Sequence, residues 1–242
     1  MKNNLLFFLF IALTSCQVTE TIEISEDGSG RIQTEELRDE NTYMQIVGDN
    51  YSKEEKFVDT DYHFEDIIKK FDENFRKLTE SEKNTFNQYK DVYVHVKKNS
   101  YEKDFRTTVY QDFKQVEDIV DLYKTDDYED DLRNNYALSA EEHYYSISYT
   151  FIDNVFKRKV KITSQAFLKK KFDEIEEFKK QFSKIKVNQP YILKYTFPKA
   201  IKSISNPKAK LSSDKKSMTL SFLISDCMQN PEITNLEIVL EK

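Results

Sequence analysis

The sequence predicts an α+β fold: an antiparallel β-sheet of hairpins packed with several helices, one of them long and amphipathic. Three observations lead there. Apolar and polar residues alternate on both sides of tight-turn dipeptides at Asp27-Gly28 and Asp153-Asn154, as in hairpins. The apolar spacing changes to three and four residues over 62–90 and again over 168–185, as in helices. Although 33% of the 242 residues are charged, 18 Phe and 15 Tyr are enough to fill a core, which argues against a disordered chain.

Taken in order, Val18, Ile22 and Ile24 alternate with polar residues before the turn at Asp27-Gly28, and the pattern resumes over 31–37. Gly28 suits the positive φ of such a turn. Phe64, Ile67, Ile68, Phe71, Phe75 and Leu78 form a helical stripe, and Thr79 with Glu82 makes a capping box that starts a second helix toward Tyr89. Val92, Val94 and Val96 read as a strand and 105–113 as another, with a short helix expected around Val116, Ile119, Val120 and Tyr123. Tyr145, Ile147, Tyr149 and Phe151 face Phe156, Arg158, Val160 and Ile162 in a second hairpin, whose solvent side carries Lys157, Lys159 and Lys161. Leu168, Phe172, Ile175, Phe178, Phe182 and Ile185 are the stripe of the long helix. Phe172, Ile175, Phe178 and Phe182 are expected to face the sheet, with Lys169, Lys170, Lys179 and Lys180 outward as a face for an anionic partner. Short strands at 191–197, 201–204, 217–224 and 235–240 finish the chain.

The N-terminus carries a different signal. Lys2 precedes nine apolar residues at 5–13. This run is too short to span a bilayer, which takes about 20 residues, and it has the form of a secretory signal. Leu13-Thr14-Ser15-Cys16 follows as a lipobox: an aliphatic residue, two small ones and the cysteine whose thiol takes up diacylglycerol. The competing reading is an ordinary signal that happens to contain a cysteine. Residues 1–15 are thus expected to be a lipoprotein signal peptide, and 16–242 one domain tied to a membrane through Cys16. Gln17, where Asp favours inner-membrane retention, points to the outer membrane of a bacterial envelope.

Composition narrows the function. With Cys16 committed to lipid, Cys227 has no disulfide partner and reads as a small buried residue. Residues 17–153 carry 17 basic and 34 acidic side chains, whereas 154–216 carry 18 and 5. Either the two regions neutralise each other on folding, or a basic face meets anionic headgroups or another acidic partner. Nucleic acid is not an expected partner of an exported lipoprotein. The chain has no glycine after Gly48, so phosphate-cradling loops are excluded. His63, His95 and His143 have no metal-ligand spacing, and Glu141-Glu142-His143 is too loose to replace it. The acidic run 126–131 lacks the glycine of a calcium loop and reads as a solvated loop or helix face. Ser29, between Gly28 and Gly30, is a turn residue and not a nucleophile. The expectation is therefore no catalytic residues, no metal and no cofactor.

Two groups of residues carry a family resemblance. One is the anchor cysteine followed by strand, Asp27-Gly28-Ser29-Gly30 and strand. The other is Tyr195-Thr196-Phe197-Pro198-Lys199, then Ser205-Asn206-Pro207 and the run 213–220. Together they resemble the LppM-type envelope lipoprotein domain at the two ends of the chain, while the acidic, helical middle has no counterpart. The resemblance implies an α+β domain that binds lipid. Three function classes are weighed: a non-enzymatic lipoprotein binding a lipid or amphiphile at the membrane surface, which is preferred; a protein-interaction or structural module of the envelope; and a hydrolase whose residues carry no recognisable motif. A closed aromatic cavity would favour the first, and a filled core with an exposed patch the second.

Overall fold

The computed structural model describes residues 15–49, 56–135, 143–181 and 189–242, with Ser15, Cys16 and Ile46 described by their backbone alone. Twelve strands and seven α-helices are described. The first hairpin is β1 (Ser15–Ile24) and β2 (Gly30–Arg38). Gly28 has φ 85° in its turn, as the Asp-Gly signal requires. Gly30 is demanded for a second reason: a Cβ there would lie 1.9 Å from the Glu23 carbonyl oxygen.

After α1 (Glu40–Val47) the chain forms β3 (Phe57–His63), α2 (Phe64–Lys70), α3 (Asp72–Lys77) and α4 (Glu80–Gln88). The Thr79–Glu82 capping box is present at the start of α4. β3 was not expected; it is an edge strand whose first five residues are all exposed, so it shows no apolar alternation. β4 (Tyr93–Asn99) and β5 (Asp104–Phe113) follow. The helix expected near 116–123 is instead two 3₁₀ turns, Val116–Asp118 and Leu122–Lys124, which bury Val116 and Leu122 without a full helical repeat. The acidic run enters α5 (Thr125–Asn134), closed by Asn135 in the left-handed region.

The second hairpin, β6 (Tyr145–Ile152) and β7 (Val155–Ile162), matches its expected register from Tyr145–Ile162 to Ile152–Val155. Asp153 and Asn154 both take positive φ, the type I′ pattern that suits the twist of a two-residue hairpin. Next come α6 (Gln165–Gln181), β8 (Pro190–Thr196), β9 (Ile201–Ile204), β10 (Lys210–Leu211) and β11 (Ser217–Leu223). The chain closes with α7 (Ile224–Gln229), a 3₁₀ turn at Pro231–Thr234 and β12 (Leu236–Leu240).

The expected single antiparallel sheet is corrected in two ways. The described residues form two sheets: eight strands in the order β10-β11-β8-β1-β2-β5-β4-β3, and four in the order β6-β7-β12-β9. The larger is mixed, because β1 runs parallel to β8, with Val18 opposite Tyr191. A shared core lies between the sheets; Phe156 of β7, for example, packs its ring 5.4 Å from those of Tyr195 and Phe197. The rings of Phe64, Phe86, Tyr89 and Tyr128 join α2, α4 and α5 in the same core.

The long helix is also corrected. Its main contact is α7, not the sheet. Ile175 is fully buried and Phe178 half-buried, but Phe172 is 44% exposed. Phe172 stands at the margin of the apolar stripe, and the six-residue α7 is too narrow to cover it. Phe182 and Ile185 lie outside the described residues.

Candidate functional site

Inward alternation places Glu20 of β1 and Arg158 of β7 between the sheets, where both are shut off from solvent. Arg158 donates from Nε to Glu20 Oε1 at 3.0 Å and from a terminal nitrogen to Oε2 at 3.1 Å. Tyr149 and Tyr195 donate to Oε1 at 3.0 and 2.5 Å, and Tyr191 donates to Oε2 at 2.9 Å. The Tyr123 hydroxyl lies 3.1 Å from Oε2 and 2.8 Å from the Tyr191 hydroxyl. The rest of the guanidinium donates to Tyr191 Oη and Thr234 Oγ1, at 2.8 and 2.7 Å.

Burial pushes the Glu20 carboxyl up, but the Arg158 charge and the hydrogen bonds from Arg158, Tyr195 and Tyr191 outweigh it and hold the group below its ordinary value. A carboxylate saturated with donors and closed to solvent binds nothing further. Chemically the cluster ties the two sheets together. An ionised buried pair of this kind is specific but not strongly stabilising against an apolar alternative. Sequence reading assigned the two residues no role, although the alternation with Val18 and Ile22, and with Phe156 and Val160, turns both inward.

Tyr149, Phe156, Tyr191, Tyr195 and Phe197 pack between the sheets, three of them bonded to Glu20, so this region is a filled core. Open space lies at one end of the sheets instead. A groove of about 720 Å³ is lined by Pro190, Pro207, Phe222, Leu223 and Ile233, with Lys208, Asp226 and Asn235 among its polar groups. Pro190 pairs with Leu223, and it precedes Tyr191, the partner of Val18. The groove therefore opens at the end of the sheet where β1 begins. Leu13 and Thr14 of the expected lipobox, like the apolar run at 5–13, lie outside the described residues. The backbones of Ser15 and Cys16 already belong to β1.

The four lysines named as a partner face are all exposed on α6. Lys169 stands 3.5 Å from Asp173, Lys170 lies over the Phe167 ring, and Lys179 donates to Gln229 of α7 at 2.8 Å. Since α7 continues directly from Leu223, the structure brings the lysine helix toward the same end as the groove. Cys227 on α7 is half-buried, and burial pushes its thiol up to about 12.

The acidic run is more buried than a solvated loop or helix face. Within α5, Tyr62 donates to Glu129 at 2.6 Å, Arg133 bridges Glu129 and Asp130, and Asp131 is buried. A helix spreads these carboxylates around its axis instead of converging them. His143 approaches Asp127 at 2.7 Å, while Glu141 and Glu142 lie outside the described residues. His95 is paired with Asp59 at 2.8 Å on β3. Among the described residues no group of three or more His, Cys, Asp or Glu is placed to hold a metal ion, and no helix is long and apolar enough to cross a membrane.

No protein-family model matches the chain, and no curated protein matches it. Among solved structures, the folded domain of LppM from Mycobacterium tuberculosis, determined by NMR, is a distant likeness. Its TM-score is 0.37 at 10% sequence identity, over 93% of this chain and 88% of that one.

Proposed function

We propose that the chain is a non-enzymatic lipoprotein of the bacterial envelope, held to the outer membrane by lipid on Cys16, whose folded part takes up a lipid or amphiphile at the membrane surface. The apolar run ending in Leu13-Thr14-Ser15-Cys16 carries this reading. Peptidase cleavage before Cys16 leaves a diacylglycerol thioether on a residue that already starts a strand. Acyl chains contribute about 0.8 kcal/mol per buried CH₂, so two or more hold a protein stably. The groove supports the binding half of the proposal. It opens at the anchored end, is apolar along Pro190, Pro207, Phe222 and Leu223, and offers Lys208 to a headgroup. Its volume falls within the usual range of about 300–1,000 Å³ for small-molecule sites.

Metabolic labelling with a fatty-acid analogue tests the anchor. Wild type should label and float with membranes, and Cys16→Ser should do neither; equal labelling of the two defeats the proposal. Lipid mass spectrometry of the purified protein tests the groove, where Leu223→Glu should lower the co-purified lipid.

The second reading, an interaction module, is favoured by the filled core between the sheets and by the outer face of the small sheet. There Lys157, Lys159 and Lys161 stand opposite Thr150, Ser148 and Ser146, a row of lysines in which Lys157 pairs with Glu237 at 2.8 Å. Protein cross-linking through these lysines, with no lipid retained, would favour it.

A further inference from the structure

We infer that the end of the eight-stranded sheet where β1 begins is a membrane-contact rim, whose exposed apolar side chains enter the headgroup region of the bilayer that holds Cys16. The inference rests on the reading of Cys16 as the lipid anchor.

Strand register defines this end. Ser15 pairs with Arg38 and Gln17 with Leu37; Leu37 pairs with Arg106, Arg106 with Lys97, and Lys97 with Asp59. The start of β1 is therefore level with the end of β2, the β4–β5 turn and the start of β3. On the other side of β1, the start of β8 and the end of β11 close the row at Pro190 and Leu223.

The distribution of exposed apolar residues follows this geometry. Val58 is 38% exposed and Phe57 65% at the start of β3; Tyr101 is 89% exposed in the β4–β5 turn, and Leu223 44% at the end of β11. Met44, 40% exposed, sits on α1, which follows β2 by one residue. These are five of the eight large exposed hydrophobics among the described residues, so the clustering calls for a cause. The opposite end of the sheet carries the polar turn Glu26-Asp27-Gly28-Ser29.

The tether supplies the cause. Only Gln17 separates Cys16 from Val18, which is buried in the core. An extended residue spans at most about 3.5 Å, so acylated Cys16 stands within about 7 Å of the core. A chain with so little slack cannot hold its strand ends away from the headgroups. Side chains that would be costly in water are then favoured there, and tyrosine, with an apolar ring and a polar tip, suits the interface. Lys97 and Lys98 of β4 and Lys103 of the turn accompany them, with Glu102 and Asp104 lying 3.6 and 3.0 Å from Lys97. Lysine stems can cover apolar surface while their charges reach phosphate.

The chain contains no tryptophan, so single-tryptophan variants report position directly. Full-length protein carrying Tyr101→Trp, Leu223→Trp or, as a control, Ile152→Trp would be purified from labelled cells. Each would be reconstituted in vesicles of phosphatidylethanolamine and phosphatidylglycerol with brominated acyl chains. Ile152 is exposed at the β6–β7 turn, next to Phe151, whose amide donates to Glu117 beyond the far end of β5. The rim positions should lose about half their emission and shift to the blue, as for groups seated some 5–10 Å into the interface. The control should do neither. Labelled, vesicle-bound Tyr101→Trp and Leu223→Trp proteins whose emission is quenched no more than the control overturn the rim and leave the anchor standing. Protein without acyl label overturns the anchor, and the rim with it.

Discussion

Glu20 and Arg158, 138 residues apart in sequence, meet as a two-pronged ion pair between the sheets, with tyrosine hydroxyls closing the remaining lone pairs of the carboxylate. Neither group can lose its partner without leaving a charge in a medium that solvates it poorly.

Glu20→Leu and Arg158→Met should each lower unfolding free energy by about 3–5 kcal/mol, since each strands a buried charge. The double variant should fall short of the summed cost by about 1–3 kcal/mol, because no charge is then left over. Urea denaturation of the four proteins checks this, and strict additivity would mean that the pair is not coupled.

The pair also gives stability a pH dependence. The folded Glu20 carboxyl is held below its ordinary value of 4.5, so its contribution is fully present above that value and is lost as pH falls through the lower folded value. The stability gap between wild type and Glu20→Gln should be flat above about pH 5 and narrow steadily below it. A gap that widens on acidification would contradict the depressed carboxyl.

In the first hairpin, Gly28→Ala should cost about 1 kcal/mol for its positive φ. Gly30→Ala should cost clearly more, because its Cβ would meet the Glu23 carbonyl while nothing lies within 4 Å of a Cβ at Gly28. Thermal melts rank the two, and the reverse order would refute the packing account.

On α6, Ile175→Ala should cost about 2–5 kcal/mol, as for a filled core position, while Phe172→Ala should change stability by no more than about 0.5 kcal/mol. Equal effects in chemical denaturation would mean that the buried side of the helix is misassigned. Lys169, Lys170, Lys179 and Lys180 reversed together to Glu should leave the melt near wild type and weaken binding to anionic vesicles at low salt.

Local pattern revealed what depends on local pattern. The two long hairpins, their turns, the capping box at Thr79 and the inward phase of Glu20 and Arg158 all follow from alternation or fixed spacing. The Glu20–Arg158 contact itself does not, because nothing in either strand names a partner so far along the chain. β3 escaped notice because Phe57-Val58-Asp59-Thr60-Asp61 lies on an edge with exposed side chains, and edge strands need no apolar phase. Phe172 was placed inward because a helical stripe gives the direction of an apolar face but not the width of what covers it. The groove and the rim were hidden for a similar reason: Phe57, Tyr101 and Leu223 come to one end of the sheet only through the order and direction of the strands.

The parallel pairing of β1 with β8 sets a schedule for folding. Glu20 and Tyr191, 171 residues apart, lie on adjacent strands, so the first strand sits in the middle of the larger sheet. If export proceeds from the N-terminus, β1 and β2 emerge early and can pair at once, yet one edge of β1 stays open until most of the chain has crossed. Closing so long a loop is entropically costly, and contacts of this range slow folding. With Cys16 as the proposed lipid anchor, that unpaired strand edge would be held at a membrane throughout the interval, open to mispairing with neighbouring chains. The demand for a holding factor should therefore fall on the first hairpin, and it should end when residues 190–196 arrive.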